Sequence, residues 1–173
     1  MGYLEQILFD IALGFLSEPF AKKIVDLSRI SDIAFYLHSR NISFEEISSL
    51  ILAFNSYLPQ VETCSIHLRE IVDESALCIA LTRLAWLKTL NIKLQNKLRT
   101  LKFILSDLPM LNKIVIEVVQ SHALLRHFTI VCRNLPTLMT LSIKLDCLYA
   151  HLEPYVTLED LPKLKYLDLD LDW

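Results

Sequence analysis

Few side chains in this sequence could do chemistry, and they are scattered. Five histidines occur, at His38, His67, His122, His127 and His151. No two stand in an H-E-x-x-H pattern, which would set two imidazoles on one helix face beside a glutamate. His127 and Cys132 lie five residues apart, a spacing that does not align them on one face of a helix. Asp168, Asp170 and Asp172 alternate with leucines and look like a carboxylate cluster. Strand alternation would put all three in one extended row, diverging from any single point. A solvated acidic strand is therefore expected, not a metal site. The cysteines, Cys64, Cys78, Cys132 and Cys147, form no C-x-x-C pair and sit in apolar surroundings, so free thiols are expected. No catalytic residue, metal or cofactor is assigned, and the chain is not expected to be an enzyme.

Glycine occurs only at Gly2 and Gly14. That excludes a G-x-S-x-G nucleophile elbow, a phosphate-cradling P-loop and the glycine-rich dinucleotide fingerprint, all of which need close backbone approach. It also argues against tight hairpins with positive-φ turns, and so against an all-β fold.

The 173 residues fit one domain, and a hydrophobic fraction of 53 % supplies ample core. The net charge of −3 lacks the basic excess of a nucleic-acid surface, so no nucleic-acid partner is expected. The most apolar stretch, Met1–Leu16, is interrupted by Glu5 and Asp10 and is too short to span a membrane. No positive segment precedes it as in a signal peptide. The expectation is an intracellular protein, cytoplasmic or nuclear, with no membrane partner. The sequon Asn41-Ile42-Ser43 is read as a chance match.

What must position these groups is a repeat. Leu161-Pro162-Lys163-Leu164 runs on to Leu167, Leu169 and Leu171, giving L-P-x-L-x-x-L-x-L-x-L. Leu135-Pro136-Thr137-Leu138 leads to Leu141, Ile143 and Leu145. Leu108-Pro109-Met110-Leu111 leads to Ile114, Ile116 and Val118. Leu84-Ala85-Trp86-Leu87 leads to Leu90, Ile92 and Leu94, and Leu58-Pro59-Gln60-Val61 to Cys64, Ile66 and Leu68. The starts at 58, 84, 108, 135 and 161 step by 26, 24, 27 and 26 residues. A weaker copy begins at Leu27, with Ile30, Ile33, Phe35 and Leu37.

Within each copy, period 2 puts the leucines on one sheet face and the intervening residues on the other. The proline is read as ending a preceding helix, since the residue before it avoids the α region. Between strands, Glu74–Leu84, Asn96–Ser106 and Ser121–Arg133 carry apolar residues at helical spacing, and Asp146–Asp160 reads as short helical pieces broken at Pro154. Parallel strands joined by crossovers of this length give a curved α/β solenoid, strands concave and helices convex.

The pattern resembles the leucine-rich-repeat family, well over Leu58–Leu171 and weakly over Leu27–Leu37. The helical crossovers and step lengths are similar to ribonuclease-inhibitor-like and F-box-associated repeats. The family's Asn or Cys after the strand is replaced by Arg69, Gln95, Val119 and Asp146, so its asparagine ladder is absent there. The resemblance implies an α/β horseshoe with a parallel concave sheet, convex helices and a helical cap at residues 1–26, with the solenoid over 27–173.

Tyr3–Phe15 has the 3-and-4 spacing of an amphipathic helix, read as that cap. Leu4–Ile11 is similar to the opening of an F-box, without its proline. Pro19 opens a second helix to about Leu27, and Ser43 with Glu46 forms a capping box for a helix to about Ser56. At the other end a strand runs up to Trp173. Such an edge invites self-association or pairing with a partner chain, and a truncated or atypically small repeat protein is the expectation.

Outward strand residues would stack into rows: Ala34 and Tyr36, Ser65 and His67, Asn91 and Lys93, Val115 and Glu117, Ser142 and Lys144, Asp168 and Asp170. The face is mixed in charge and mostly polar, which suits a polypeptide partner. The functional expectation is a protein-protein interaction module binding on that concave face, as in the substrate-recognition arm of an F-box-type ubiquitin ligase. The competing expectation is a structural subunit, or a fragment, buried in a larger assembly. A mean hydropathy of +0.40 favours the second somewhat.

Overall fold

The computed structural model describes residues 32–38, 61–69, 76–82, 84–95, 98–120, 125–147 and 152–172. The cap at 1–26, the F-box-like segment and the capping-box helix lie outside the described residues.

Every regular element among the described residues is a β-strand. Six of them form one parallel sheet: β1 (Asp32–His38), β2 (Thr63–Arg69), β4 (Thr89–Gln95), β6 (Lys113–Gln120), β8 (Thr140–Cys147) and β10 (Tyr166–Asp172), in that spatial order. Four form a second parallel sheet: β3 (Ala76–Thr82), β5 (Thr100–Ser106), β7 (His127–Arg133) and β9 (Glu153–Glu159). From β2 onward the chain alternates between the sheets, so each coil lays a strand on both.

This overturns the expected α/β leucine-rich-repeat horseshoe with convex helices. The molecule is a parallel β-solenoid, and the segments read as helices contain β3, β5, β7 and β9. The reason lies in the burial pattern. Leu77, Ile79 and Leu81 are buried, as are Leu101, Phe103 and Leu105, and Phe128, Ile130 and Cys132. Each trio has period 2. Ala80, Ile104 and Val131, which complete the helical spacing in sequence, point away from the core as exposed or half-buried residues. Pro154 does not break a helix. It lies in β9, at the edge of its sheet, where a strand tolerates a residue with no N–H to donate.

The proline-bearing corner also differs from expectation. In Leu108-Pro109-Met110-Leu111 the Leu111 N–H donates to the Leu108 carbonyl at 3.2 Å. Leu138 to Leu135 and Leu164 to Leu161 repeat the bond at 3.2 Å, and Leu87 to Leu84 at 3.4 Å. These are β-turns, three of them with proline at the second position, which its fixed φ suits, and the Leu84–Leu87 turn with Ala85 there. Proline therefore shapes a strand-to-strand corner; no helix ends there.

Just before those turns, Asp107, Asn134 and Asp160 have φ of 56°, 50° and 55°. The left-handed region is open to Asn and Asp as well as glycine. The scarcity of glycine consequently does not exclude an all-β fold, contrary to the sequence expectation. A parallel coil has no two-residue hairpins, and its sharp corners use Asp and Asn.

Two lines of backbone bonds seal consecutive coils at the corners. The Glu62 carbonyl accepts from Lys88 and Thr89 at 2.7 and 2.9 Å, and the Lys88 carbonyl from Asn112 and Lys113 at 2.8 and 3.1 Å. The Asn112 carbonyl repeats this with Met139 and Thr140, and Met139 with Lys165 and Tyr166. At the opposite corner the Arg99 carbonyl accepts from Arg126 and His127. Between the sheets lies a continuous apolar core, with Phe103 and Phe128 packed edge-tilted at 6.1 Å between centroids.

Candidate interaction surface

The outward face of the six-stranded sheet is built by strict register. One row runs Tyr36, His67, Lys93, Glu117, Lys144, Asp170, each residue paired with the next across parallel strands. The adjacent row runs Ala34, Ser65, Asn91, Val115, Ser142, Asp168. Register thus aligns all eleven expected positions, Tyr36 through Asp170, in two neighbouring rows, of which Ser65 to Asp170 stand on the outward face. Their inward neighbours in the same strands, such as Ile92, Ile116 and Ile143, are buried, which fixes the register because a one-residue slip would turn leucines outward.

Much of this face is paired within itself. Lys93 Nζ lies 2.8 Å from Glu117 Oε2, and Lys144 Nζ 3.5 Å from Asp170 Oδ2. Asn91 Nδ2 donates to Ser65 Oγ and Ser142 Oγ to Asp168 Oδ2, both at 3.3 Å. Lys93, Glu117, Lys144 and Asp170 therefore form a row of alternating charge. Each ion pair is about half exposed, so it contributes roughly 0.2–1 kcal/mol and acts more on register than on stability.

The two thiols with resolved shifts are Cys64 and Cys132, each pushed up to about 12 by burial. Both are protonated at neutral pH and enclosed by core, unlike a reactive cysteine, which needs thiolate character and access. His127 and Cys132 fall on opposite faces of β7: His127 is exposed and Cys132 buried. Among the described residues no group of three or more His, Cys, Asp or Glu side chains is disposed to hold a metal. No described helix is long and apolar enough to cross a membrane.

Sequence reasoning missed three features. The polar column sought after the six-stranded sheet, at Arg69, Gln95, Val119 and Asp146, lies at the other corner. There Asn134 Nδ2 donates to Asp107 Oδ1 at 2.7 Å, and Asp160 follows one coil later. The signal was present as Asp, Asn and Asp directly preceding three Leu-Pro pairs. The second feature is the outer face of the four-stranded sheet, where Arg133 Nε meets Glu159 Oε2 at 2.9 Å and His127 Nδ1 meets Glu153 Oε2 at 3.4 Å, the latter an ion pair only when the imidazole is protonated. The third is the turn column, in which Trp86 and Met110 occupy equivalent exposed positions. No family model, curated protein or solved structure matches the chain, so its functional reading rests on the geometry of the coil.

Proposed function

We propose that the chain is a protein-protein interaction module that binds an extended polypeptide segment on the outward face of its six-stranded sheet. The observation that supports this most is the pair of adjacent rows, His67 to Asp170 and Ser65 to Asp168, held on a hydrogen-bonded frame with an apolar core beneath. Half-buried Ser, Asn, Lys and Glu side chains on a rigid platform offer donors and acceptors at strand spacing, with little ordering cost on binding. The finer reading, a substrate-recognition part of an F-box-type ubiquitin ligase, draws on Leu4–Ile11 alone.

The test is a selection of peptides from a displayed random library on the immobilised 173-residue chain. Asn91→Arg, Val115→Arg and Ser142→Arg together change the centre of the face and leave the core positions untouched. The selected peptides are expected to lose at least about tenfold in affinity for this variant, the scale of a disrupted contact cluster, with an unchanged circular dichroism spectrum. Unchanged affinity would remove the face from consideration. For the finer reading, a Skp-type adaptor is expected to co-purify with the full chain and to be lost when residues 1–26 are deleted.

A second reading, a subunit buried in a larger assembly, draws on the exposed apolar residues Leu167, Leu169, Tyr155 and Tyr166.

A further inference from the structure

Charge is spread unevenly along the coil. The arches β3–β4, β5–β6 and β7–β8, each a strand of the small sheet, its turn and the following strand of the large sheet, span residues 76–147. That span holds ten Lys or Arg against three Asp or Glu, a net +7 in a chain whose total is −3. The three acids are Asp107, just after β5, and Glu117 and Asp146 in the large sheet. None lies within β3, β5 or β7.

Ion pairs between consecutive coils join unlike charges at equivalent positions: Glu62 with Lys88, Lys93 with Glu117, Arg133 with Glu159 and Lys144 with Asp170. One corner departs from this. Thr100 and His127 are register partners at the starts of β5 and β7, so Arg99 and Arg126 precede them side by side. The Arg99 carbonyl accepts from Arg126 and His127 at 2.9 and 3.1 Å, which fixes the two coils at this place. Arg99, Arg126 and His127 are exposed. So is Lys102, on the outward face of β5 and three residues beyond Arg99, about 10 Å at the rise of a strand. Thr100 and Thr129, half-buried, share that face.

We propose that the Arg99–Arg126 corner is a binding site for a phosphorylated serine or threonine of a partner polypeptide. A phosphomonoester carries about −1.5 to −2 charge at neutral pH and three strong acceptor oxygens. That matches two guanidinium groups and an ammonium grouped at one corner, with threonine hydroxyls beside them. A carboxylate has one charge and two oxygens, and leaves part of that set unused. A guanidinium carries five donors, so Arg99 can keep a contact of its own and still donate to an oxyanion.

Other anions fit the corner less well. A nucleic acid needs cations repeated along its track. Along the coil axis the next equivalents of Arg126 and His127 are Leu152 and Glu153, and the Glu153 carboxylate stands 3.4 Å from His127 Nδ1. The cluster is therefore a point, not a stripe. A small free phosphate compound suits an enclosed cleft, whereas these side chains stand on an exposed corner. An anionic membrane surface is disfavoured by the net negative charge of the chain. The corner belongs to the small sheet and Asn91, Val115 and Ser142 to the large one, so the site is independent of the sheet-face reading.

The experiment titrates a nine-residue peptide of glycine and alanine with one central phosphoserine into the isotope-labelled full chain, followed by nuclear magnetic resonance. The side-chain signals of Arg99 and Arg126 and the amides of Thr100 and His127 are expected to move together. Affinity is expected to be at least about tenfold above that of the same peptide carrying serine or glutamate, as charge-assisted bonding to a dianion requires. Arg126→Gln and Lys102→Gln are each expected to weaken the phosphoserine peptide by about fivefold or more, with unchanged circular dichroism. Lys113→Gln, which removes an exposed cation of the large sheet, is expected to leave it unchanged. Equal affinity for the three peptides would overturn the proposal. So would binding that ignores both Arg126→Gln and Lys102→Gln, or that falls equally with Lys113→Gln, the mark of diffuse charge. Single-stranded DNA or phosphatidylserine vesicles that bind more tightly than the phosphoserine peptide, and lose binding in Arg126→Gln, would give the corner to a polyanion or a membrane and overturn it too.

Discussion

The β7–β8 arch and the β9–β10 arch share one template and differ in what surrounds them. In the first, Phe128, Ile130, Leu135, Leu138, Leu141 and Ile143 are all 0 % exposed, between coils on both sides. In the second, Leu167 and Leu169 are exposed, and Val156, Leu158, Leu161 and Leu164 are only partly buried against the core. The same or similar apolar residues at equivalent positions, such as Leu141 and Leu167 or Ile143 and Leu169, thus have very different values to the fold. A leucine in a solenoid contributes through its neighbouring coils, since each repeat buries little of its own surface alone. The lesson is that the sequence template fixes the shape of an arch, while its position in the stack sets its energetics.

Several experiments would break or sharpen that contrast. The largest effect is expected in thiol labelling. Cys64 and Cys132 are buried and Cys78 is half-exposed. Cys78 should react with a thiol reagent in the native state, and the other two only through opening, slower by about a thousandfold or more given the 5–15 kcal/mol typical of global unfolding. Their folded pKa of about 12 lies above the ordinary value of 9.0. The native state therefore holds these protons more tightly. Its stability is full below pH 9 and falls as pH rises from 9 toward 12, which an alkaline urea series would detect.

Next is core truncation. Phe128→Ala removes a ring packed against Phe103 and is expected to cost about 3–5 kcal/mol in urea unfolding, whereas Leu169→Ala in the exposed arch should cost less than about 1 kcal/mol. Comparable losses at the two sites would erase the contrast. A smaller effect is expected at the corner. Asn134→Val forces a β-branched residue into positive φ and removes the bond to Asp107, at about 1–3 kcal/mol. Asn134→Gly should cost less, because glycine accepts that backbone without strain. The smallest effect is expected for Lys144→Ala, about 0.2–1 kcal/mol, diminishing with added salt.

Half of the coil was legible in the sequence. Four strands of the six-stranded sheet follow from the apolar alternation after a Leu-Pro, β4 from that after Leu84-Ala85 and β1 from the weaker copy at Leu27–Leu37, and with them the membership of both rows. The other half was not, for a reason visible in particular residues. Ala80, Ile104 and Val131 stand outward between inward-facing Ile79 and Leu81, Phe103 and Leu105, and Ile130 and Cys132. They turn a period-2 pattern into an apolar run that also fits a helix, the ambiguity expected of short apolar runs. Arc lengths would have helped. From Ala76, Thr100, His127 and Glu153 to Thr89, Lys113, Thr140 and Tyr166 the step is 13 residues every time, and all variation in the repeat falls in the opposite arc. A fixed arc with Asp or Asn before Leu-Pro marks a defined turn, not a helix end. Of the candidate surface, the positions were legible, and the ion pairs that tie its rows together follow once parallel register is known.

The most direct test of the central account, that the second side of the coil is stacked strand and not helix, is a single substitution. Cys78 in β3 and Lys102 in β5 are register partners and both stand on the outer side of the small sheet. Adjacent strands lie about 4.8 Å apart, within disulfide reach, whereas packed helices stand about 8–10 Å apart. In Lys102→Cys, mild oxidation followed by mass spectrometry is expected to show an intramolecular disulfide to Cys78, with native circular dichroism retained. Two thiols that both remain open to alkylation after oxidation, in a protein that keeps its fold, would contradict the β-solenoid.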